Sequence, residues 1–152
     1  MDVVSRAKRK KMMSGIRNKN TRPEMLVRRS LHKMGFRYRL HSRGLPGRPD
    51  LVFPKYRAVV LVNGCFWHGH DCHLFKWPKT REGFWKDKIN RNIERDSQNN
   101  RLLENGGWRI CTVWECALKG KKRQDFNEMF PRLGQWLKSS VQELTLSGSG
   151  SD

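Results

Sequence analysis

The chain has 152 residues, enough for one compact domain, and carries 32 Lys and Arg against 14 Asp and Glu, a formal net charge of +18. Such an excess opposes compaction, so it points to a polyanionic partner, with nucleic acid first and a merely soluble or ribosomal-type basic surface as the plain alternative. Six Trp and seven Phe supply a real core, which excludes a disordered chain, and no apolar run approaches the roughly 20 residues of a membrane span. The first eleven residues are basic with no apolar segment behind them, so a secretory signal is not expected. In such a chain Cys65, Cys72, Cys111 and Cys116 read as thiolate ligands or core thiols rather than disulfides.

Residues 5–17 carry Arg6, Lys8, Arg9, Lys10, Lys11 and Arg17 beside a weak apolar stripe of Met12, Met13 and Ile16. Residues 1–20 therefore read as a basic arm or short helix laid on a phosphate backbone, with a frayed tail as the plain alternative. The main domain is expected over residues 21–140. Thr21 can cap a helix, Pro23 suits its first turn and Glu24 completes a capping box. Leu26, Val27, Leu31 and Met34 form its apolar face, and Gly35 stops it. Residues 37–40 alternate as a short strand before a loop through His41, Ser42 and Gly44. Pro46-Gly47-Arg48-Pro49 is a turn, and residues 50–53 are a strand ended by Pro54. Residues 58–62 are a continuous apolar run, a central buried strand, with a hairpin through Lys55-Tyr56-Arg57 as the simplest link.

A Cys/His cluster follows, then a loop over residues 74–79. Residues 82–105 predict a long helix with Trp85, Ile89 and Ile93 on its buried face, extended by Leu102 or Leu103, and Gly106-Gly107 ends it. Residues 108–114 alternate as another strand, with Cys116 just past its end. Residues 125–136 carry Phe126, Met129, Phe130, Leu133 and Trp136, an amphipathic helix interrupted or restarted at Pro131. Residues 141–152 close on Ser-Gly repeats and read as a flexible tail. The element order is that of a mixed α/β or α+β fold.

Three chemistries converge on residues 47–72. Structural zinc takes four N or S ligands; Cys65, His70 and Cys72 supply three from one loop, and Cys116 could supply the fourth. His68 and His73 are rival ligands, while Cys111, inside the alternating run, reads as a buried thiol. Asp50, at a strand start behind a rigid proline turn, is placed to grip Mg2+ with a main-chain carbonyl, although a lone Asp there is more often a turn residue. A histidine side chain such as His68 can take a proton from an attacking water. Glu24 can cap a helix and still face a site. Phe66 and Trp67 can enter between base steps or cover the zinc loop, whereas Trp85 reads as core by its period.

Taken together, these residues resemble a known family. Pro46-Gly47-Arg48-Pro49-Asp50, Gly64-Cys65-Phe66-Trp67-His68, Cys72, Phe75-Lys76, Phe84-Trp85, Asn92-Ile93-Glu94-Arg95-Asp96, Gly107-Trp108-Arg109 and Val113-Trp114-Glu115-Cys116-Ala117-Leu118 are similar to the very-short-patch repair (Vsr-type) mismatch endonucleases, over about residues 5–137. The resemblance implies a restriction-endonuclease-like fold, a mixed central sheet flanked by helices with a structural zinc site. It implies a Mg2+-dependent enzyme that nicks DNA 5′ to the thymine of a T·G mismatch, the product of 5-methylcytosine deamination.

By motif, Asp50 looks like the Mg2+ carboxylate, with the Val62 carbonyl beside it. His68 looks like the catalytic histidine, and Glu24 like the family's N-terminal acid. Cys65, His70, Cys72 and Cys116 match the zinc ligands, and Phe66, Trp67 and Trp85 the DNA-wedging aromatics. The basic segment with Arg6, Lys8, Arg9, Lys10 and Lys11 looks like the DNA-gripping arm. The family pattern has a second histidine where this chain has Asn63, a residue that can hydrogen-bond a phosphate but cannot donate a proton as imidazolium does. The resemblance also implies a monomer on duplex DNA, repair proteins and a polymerase as partners, and a bacterial, nucleoid-associated cytoplasmic setting. Its rivals are a related restriction enzyme that cuts paired DNA and a non-catalytic zinc-stabilised DNA-binding protein.

Overall fold

The computed structural model describes residues 20–149. The arm residues Arg6, Lys8, Arg9, Lys10 and Lys11 lie outside them. Helix α1 (Arg22–Lys33) starts at Thr21, whose hydroxyl accepts the Glu24 N–H at 3.3 Å. Strands β1 (Arg39–Leu40), β2 (Leu51–Phe53) and β3 (Ala58–Asn63) follow. A single 3-10 turn, Pro54–Tyr56, links β2 to β3, and Arg57 closes it in the left-handed region at φ 50°. Then come α2 (Glu82–Asn105), β4 (Arg109–Trp114), the one-turn α3 (Glu115–Leu118), α4 (Phe126–Leu137) and β5 (Glu143–Leu146).

The five strands form one mixed sheet in the order β1-β2-β3-β4-β5. The first three are antiparallel; β4 runs parallel to β3 and β5 parallel to β4. A parallel pair needs a long crossover, which α2 supplies between β3 and β4. Successive strand residues point to opposite faces, and the burial follows that period. Leu51, Phe53, Val60, Cys111 and Val113 face one way, into a core with Val27 and Leu31 of α1 and Met129, Leu133 and Leu137 of α4. Val52, Val59 and Ile110 face the other way, onto Leu103 of α2. Helices thus flank both faces of the sheet.

Three sequence expectations change here. Ile93 does not sit on a buried face: it is 42% exposed, and Leu102 is 54% exposed. The last turn of α2 packs on the sheet through Leu103, while Ile89 and Ile93 of its first half meet the loop after β3. There Ile93 meets Gly69, where a Cβ would come within 2.6 Å of its Cδ1. Second, α4 continues through Pro131 without a break. The proline is the sixth residue of the helix, just past its first turn, so it gives up the one bond its N–H would make to the Asn127 carbonyl while the helix runs on through it. Third, the tail expected from residue 141 is not wholly a tail. Residues 143–146 pair with β4, Ile110 opposite Glu143 through Val113 opposite Leu146, and Leu146 is fully buried. The Ser-Gly composition of the last residues obscured a short edge strand just before them.

If β5 is part of the fold, Leu146→Ala removes a buried side chain and lowers the unfolding free energy by about 2–5 kcal/mol in urea denaturation. A mobile tail would lose under about 0.5 kcal/mol.

Candidate active site and metal centre

The register of β2 against β3 sets the first part of the site. Leu51 pairs with Val60, so Asp50 reaches the end of β3, where its Oδ2 accepts the Val62 N–H at 2.7 Å. The first turn of α1 brings Glu24, which is only 2% exposed. The capping box is shifted by one: Glu24 Oε1 accepts the N–H of Asn20 at 3.1 Å rather than that of Thr21. Glu24 Oε2 meets Arg28 at 3.2 Å and His41 Nε2 at 2.8 Å. His41 follows β1, and its backbone N–H donates to the Asp50 carbonyl at 3.1 Å. Ligand atoms of Glu24, His41 and Asp50 all lie within 4.8 Å of one another.

Burial pushes the Asp50 carboxyl up to about 6 from an ordinary 3.8. The Val62 N–H opposes that rise, the Glu24 charge adds to it, and His41 and His68 oppose it. A desolvated carboxylate beside a second acid favours a cation, and the donor set fits a divalent one.

The loop after β3 supplies the second part. It is a compact coil: His68 N–H bonds the Gly64 carbonyl, Gly69 that of Phe66, and His70 that of Cys65. Gly69 adopts φ +62° and has no room for a Cβ, so glycine is required there on two counts. Asn92 of α2 holds the loop through the Trp67 carbonyl at 2.9 Å, and Glu115 of α3 accepts the Cys65 N–H at 3.2 Å. His68 Nδ1 lies 2.5 Å from Asp96 Oδ2. With Nδ1–H given to Asp96, the lone pair is on Nε2. Asp50, Glu24, His41, Val62, Asn63 and His68 line one cleft of about 970 Å³, rimmed by Arg22, Arg43, Arg48, Lys88 and Arg95.

The third part is the Cys/His cluster. Cys65, His70, Cys72 and Cys116 present ligand atoms within 4.8 Å of one another. His70 Nδ1 lies 3.6 Å from the sulfurs of both Cys65 and Cys116. Zn–S and Zn–N bonds of about 2.3 and 2.05 Å at a tetrahedral angle put N and S about 3.6 Å apart, so the geometry fits zinc. The rivals are not brought in: His68 pairs with Asp96, and His73 is not in the cluster. Cys111 is a buried core thiol. Burial raises the Cys65 and Cys116 thiols, so deprotonating the cluster requires a cation. His70 stacks flat on Trp114 at 4.1 Å, and the Gly148 N–H donates to Cys116 Sγ at 3.2 Å, which ties the chain after β5 to the centre.

The aromatics expected to wedge DNA form one group of half-buried rings. Phe66 lies 5.2 Å from Trp67 and 5.4 Å from Trp85, and Trp67 lies 5.9 Å from Trp85. Trp85, read as core, instead joins this group at the start of α2. Phe66 and Trp67 also line the cleft.

Sequence reasoning missed His41 and Asp96. Lys88, Asn92, Asp96 and Asn99 form a polar stripe down α2 at helical spacing, all lining the cleft; that stripe was the signal for Asp96. His41 lies just beyond the pair Leu40–Leu51, so the same hairpin that places Asp50 places it opposite.

The chain is similar to known proteins over most of its length. The family model described as DNA mismatch endonuclease Vsr matches residues 1–74. The chain is 42% identical over 136 residues to DNA mismatch endonuclease Vsr of Escherichia coli, covering 90% of this chain and 87% of that one. It is 48% identical over 117 residues to the type II nicking enzyme V.XorIIP of Xanthomonas oryzae pv. oryzae, covering 77% and 86%. It is 45% identical over 120 residues to the type II nicking enzyme V.NmeAIP of Neisseria meningitidis serogroup A, covering 79% and 86%.

A carboxyl raised in the fold holds its proton more tightly folded than unfolded. It therefore favours folding below about pH 4, and that contribution is lost as pH rises through about 6. Without added divalent metal, Asp50→Asn should match the wild type near pH 4 and exceed it by about 1–3 kcal/mol at pH 8 in urea denaturation. An equal or less stable variant at pH 8 would contradict the desolvated carboxylate.

Proposed function

The chain belongs to the Vsr family of DNA mismatch endonucleases, DNA-nicking enzymes, and we propose that it nicks one strand of duplex DNA 5′ to the thymine of a T·G mismatch, with Mg2+ as its catalytic ion. The observation that carries this reading is one cleft holding a buried carboxylate at Asp50, a carboxylate-backed imidazole at His68 and a rim of basic side chains. Attack of water on a phosphodiester needs a base for the water, relief of phosphate charge and a fixed line of approach.

In this mechanism Asp50 and the Val62 carbonyl hold the ion. An ion held there by Asp50 and the Val62 carbonyl would relieve phosphate charge and lower the pKa of a bound water. Asp96 fixes His68 so that Nε2 takes the water proton, and it stabilises the imidazolium that results. Asn63, at the end of β3 in the same cleft, donates an amide hydrogen bond to a phosphate oxygen. Arg43, Arg48, Lys88 and Arg95 carry the backbone of the duplex, which the net charge of +18 attracts at long range. Lys and Arg of the N-terminal arm add to that grip.

Phe66, Trp67 and Trp85 supply the selection. A mismatched pair costs less to unstack than a paired one, so rings that insert beside it favour the mismatch. Cys65, His70, Cys72 and Cys116 would hold zinc as a structural ion, closing the loop that carries Phe66, Trp67 and His68. A chromosomal DNA substrate would set the enzyme to work at the nucleoid in the bacterial cytoplasm; separately, no helix among the described residues is long and apolar enough to cross a membrane.

On a T·G duplex, Asp50→Ala should lower the nicking rate by about 10³-fold or more while DNA affinity stays within about threefold. Asp96→Asn should lower kcat by about 10- to 100-fold with little change in KM, because it frees the imidazole without removing it. Wild-type rates in Asp50→Ala would sink the mechanism.

A further inference from the structure

His41 has no part in the mechanism above, yet it is held from three sides. Its Nε2 meets Glu24 Oε2 at 2.8 Å, its backbone N–H holds the Asp50 carbonyl at 3.1 Å, and it sits at φ 45°. A non-glycine residue in the left-handed region costs roughly 1 kcal/mol, and such positions gather at functional sites. Glu24 is a poor direct ligand, because its oxygens are already engaged by Asn20, Arg28 and His41. It is well suited to orient an imidazole, as carboxylates do behind metal-binding histidines.

We propose that the cation held at Asp50 takes a ring nitrogen of His41 as a second side-chain ligand, backed by Glu24, so that this centre binds Mn2+ in preference to Mg2+. The inference rests on the reading that Asp50 holds a cation. Two ligands sharing an ion at bonds of about 2.1 Å lie at most about 4.2 Å apart. The ligand atoms of Glu24, His41 and Asp50 all lie within 4.8 Å of one another, so a small side-chain rotation suffices. Mg2+ favours oxygen and keeps its waters, whereas an imidazole donor raises the affinity of Mn2+ and later first-row ions. The cluster is distinct from the Cys/His centre, whose thiolates select softer metals.

The test uses the full chain with its Cys/His centre filled with zinc. Mn2+ and Mg2+ are titrated calorimetrically without DNA, and the bound Mn2+ is examined by pulsed electron paramagnetic resonance for coupling to an imidazole nitrogen. The variants are His41→Gln, His41→Asn, which suits a left-handed backbone, and Asp50→Asn, with circular dichroism and zinc content as folding controls. The wild type should bind Mn2+ at least about tenfold more tightly than Mg2+ and show nitrogen coupling. The His41 variants should lose about tenfold in Mn2+ affinity and the coupling, with Mg2+ within about twofold of wild type. Asp50→Asn should lose both ions. Unchanged Mn2+ binding in the His41 variants, or no Mn2+ binding by the wild type, overturns the inference. Unchanged binding of both ions by Asp50→Asn overturns instead the reading that Asp50 holds a cation.

Discussion

The hydrogen bond from the Val62 N–H to the Asp50 carboxylate is the constraint on which the site depends. It exists because β2 and β3 pair with Leu51 opposite Val60. A slip of one residue would turn Leu51, Phe53 and Val60 out of the core and carry Asp50 away from the end of β3. The core therefore enforces the position of a charged group that the core itself disfavours. The neighbouring β1–β2 register, with Leu40 opposite Leu51, places His41, one residue beyond β1, against the Asp50 backbone. Asp50 is the point where sheet pairing becomes chemistry.

The other half of the site hangs on one coil. Residues 64–72 carry Phe66 and Trp67 of the aromatic group, the imidazole paired with Asp96 and three of the four Cys/His donors. The fourth, Cys116, begins beyond the far end of β4. An ion held there would join the coil to α3, and the Gly148 N–H on Cys116 ties in the segment after β5. Nine residues with little hydrophobic burial of their own are thus fixed at the rim of the sheet. This is why the first half of α2 can stay largely exposed: it braces the coil through Asn92, Ile93 and Asp96 instead of packing on strands.

How much of this the sequence disclosed depended on how local the signal was. The α2 helix, the β2–β3 hairpin and the Cys/His donors were legible, because period, turn residues and ligand type are local properties. The mixed sheet flanked by helices came from the family resemblance, since the local pattern alone reached only a mixed α/β or α+β class. The burial of Ile93 was misread because helical period shows a stripe but not how far the sheet beneath it extends. β5 was missed because four residues beside a Ser-Gly run carry too weak a pattern, and only pairing with β4 settles them. His41 and Asp96 were missed for a different reason. Each acts through a partner far away in sequence, and only the fold makes those neighbours visible.

The most direct test of this account is strand-labelled cleavage of a T·G duplex beside its paired T·A and C·G counterparts, with Mg2+ and several flanking contexts. The account predicts a single nick, in the thymine strand of the mismatched duplex, 5′ to the thymine. Cutting of both strands in paired DNA, or tight binding with no cutting in any context, would contradict it.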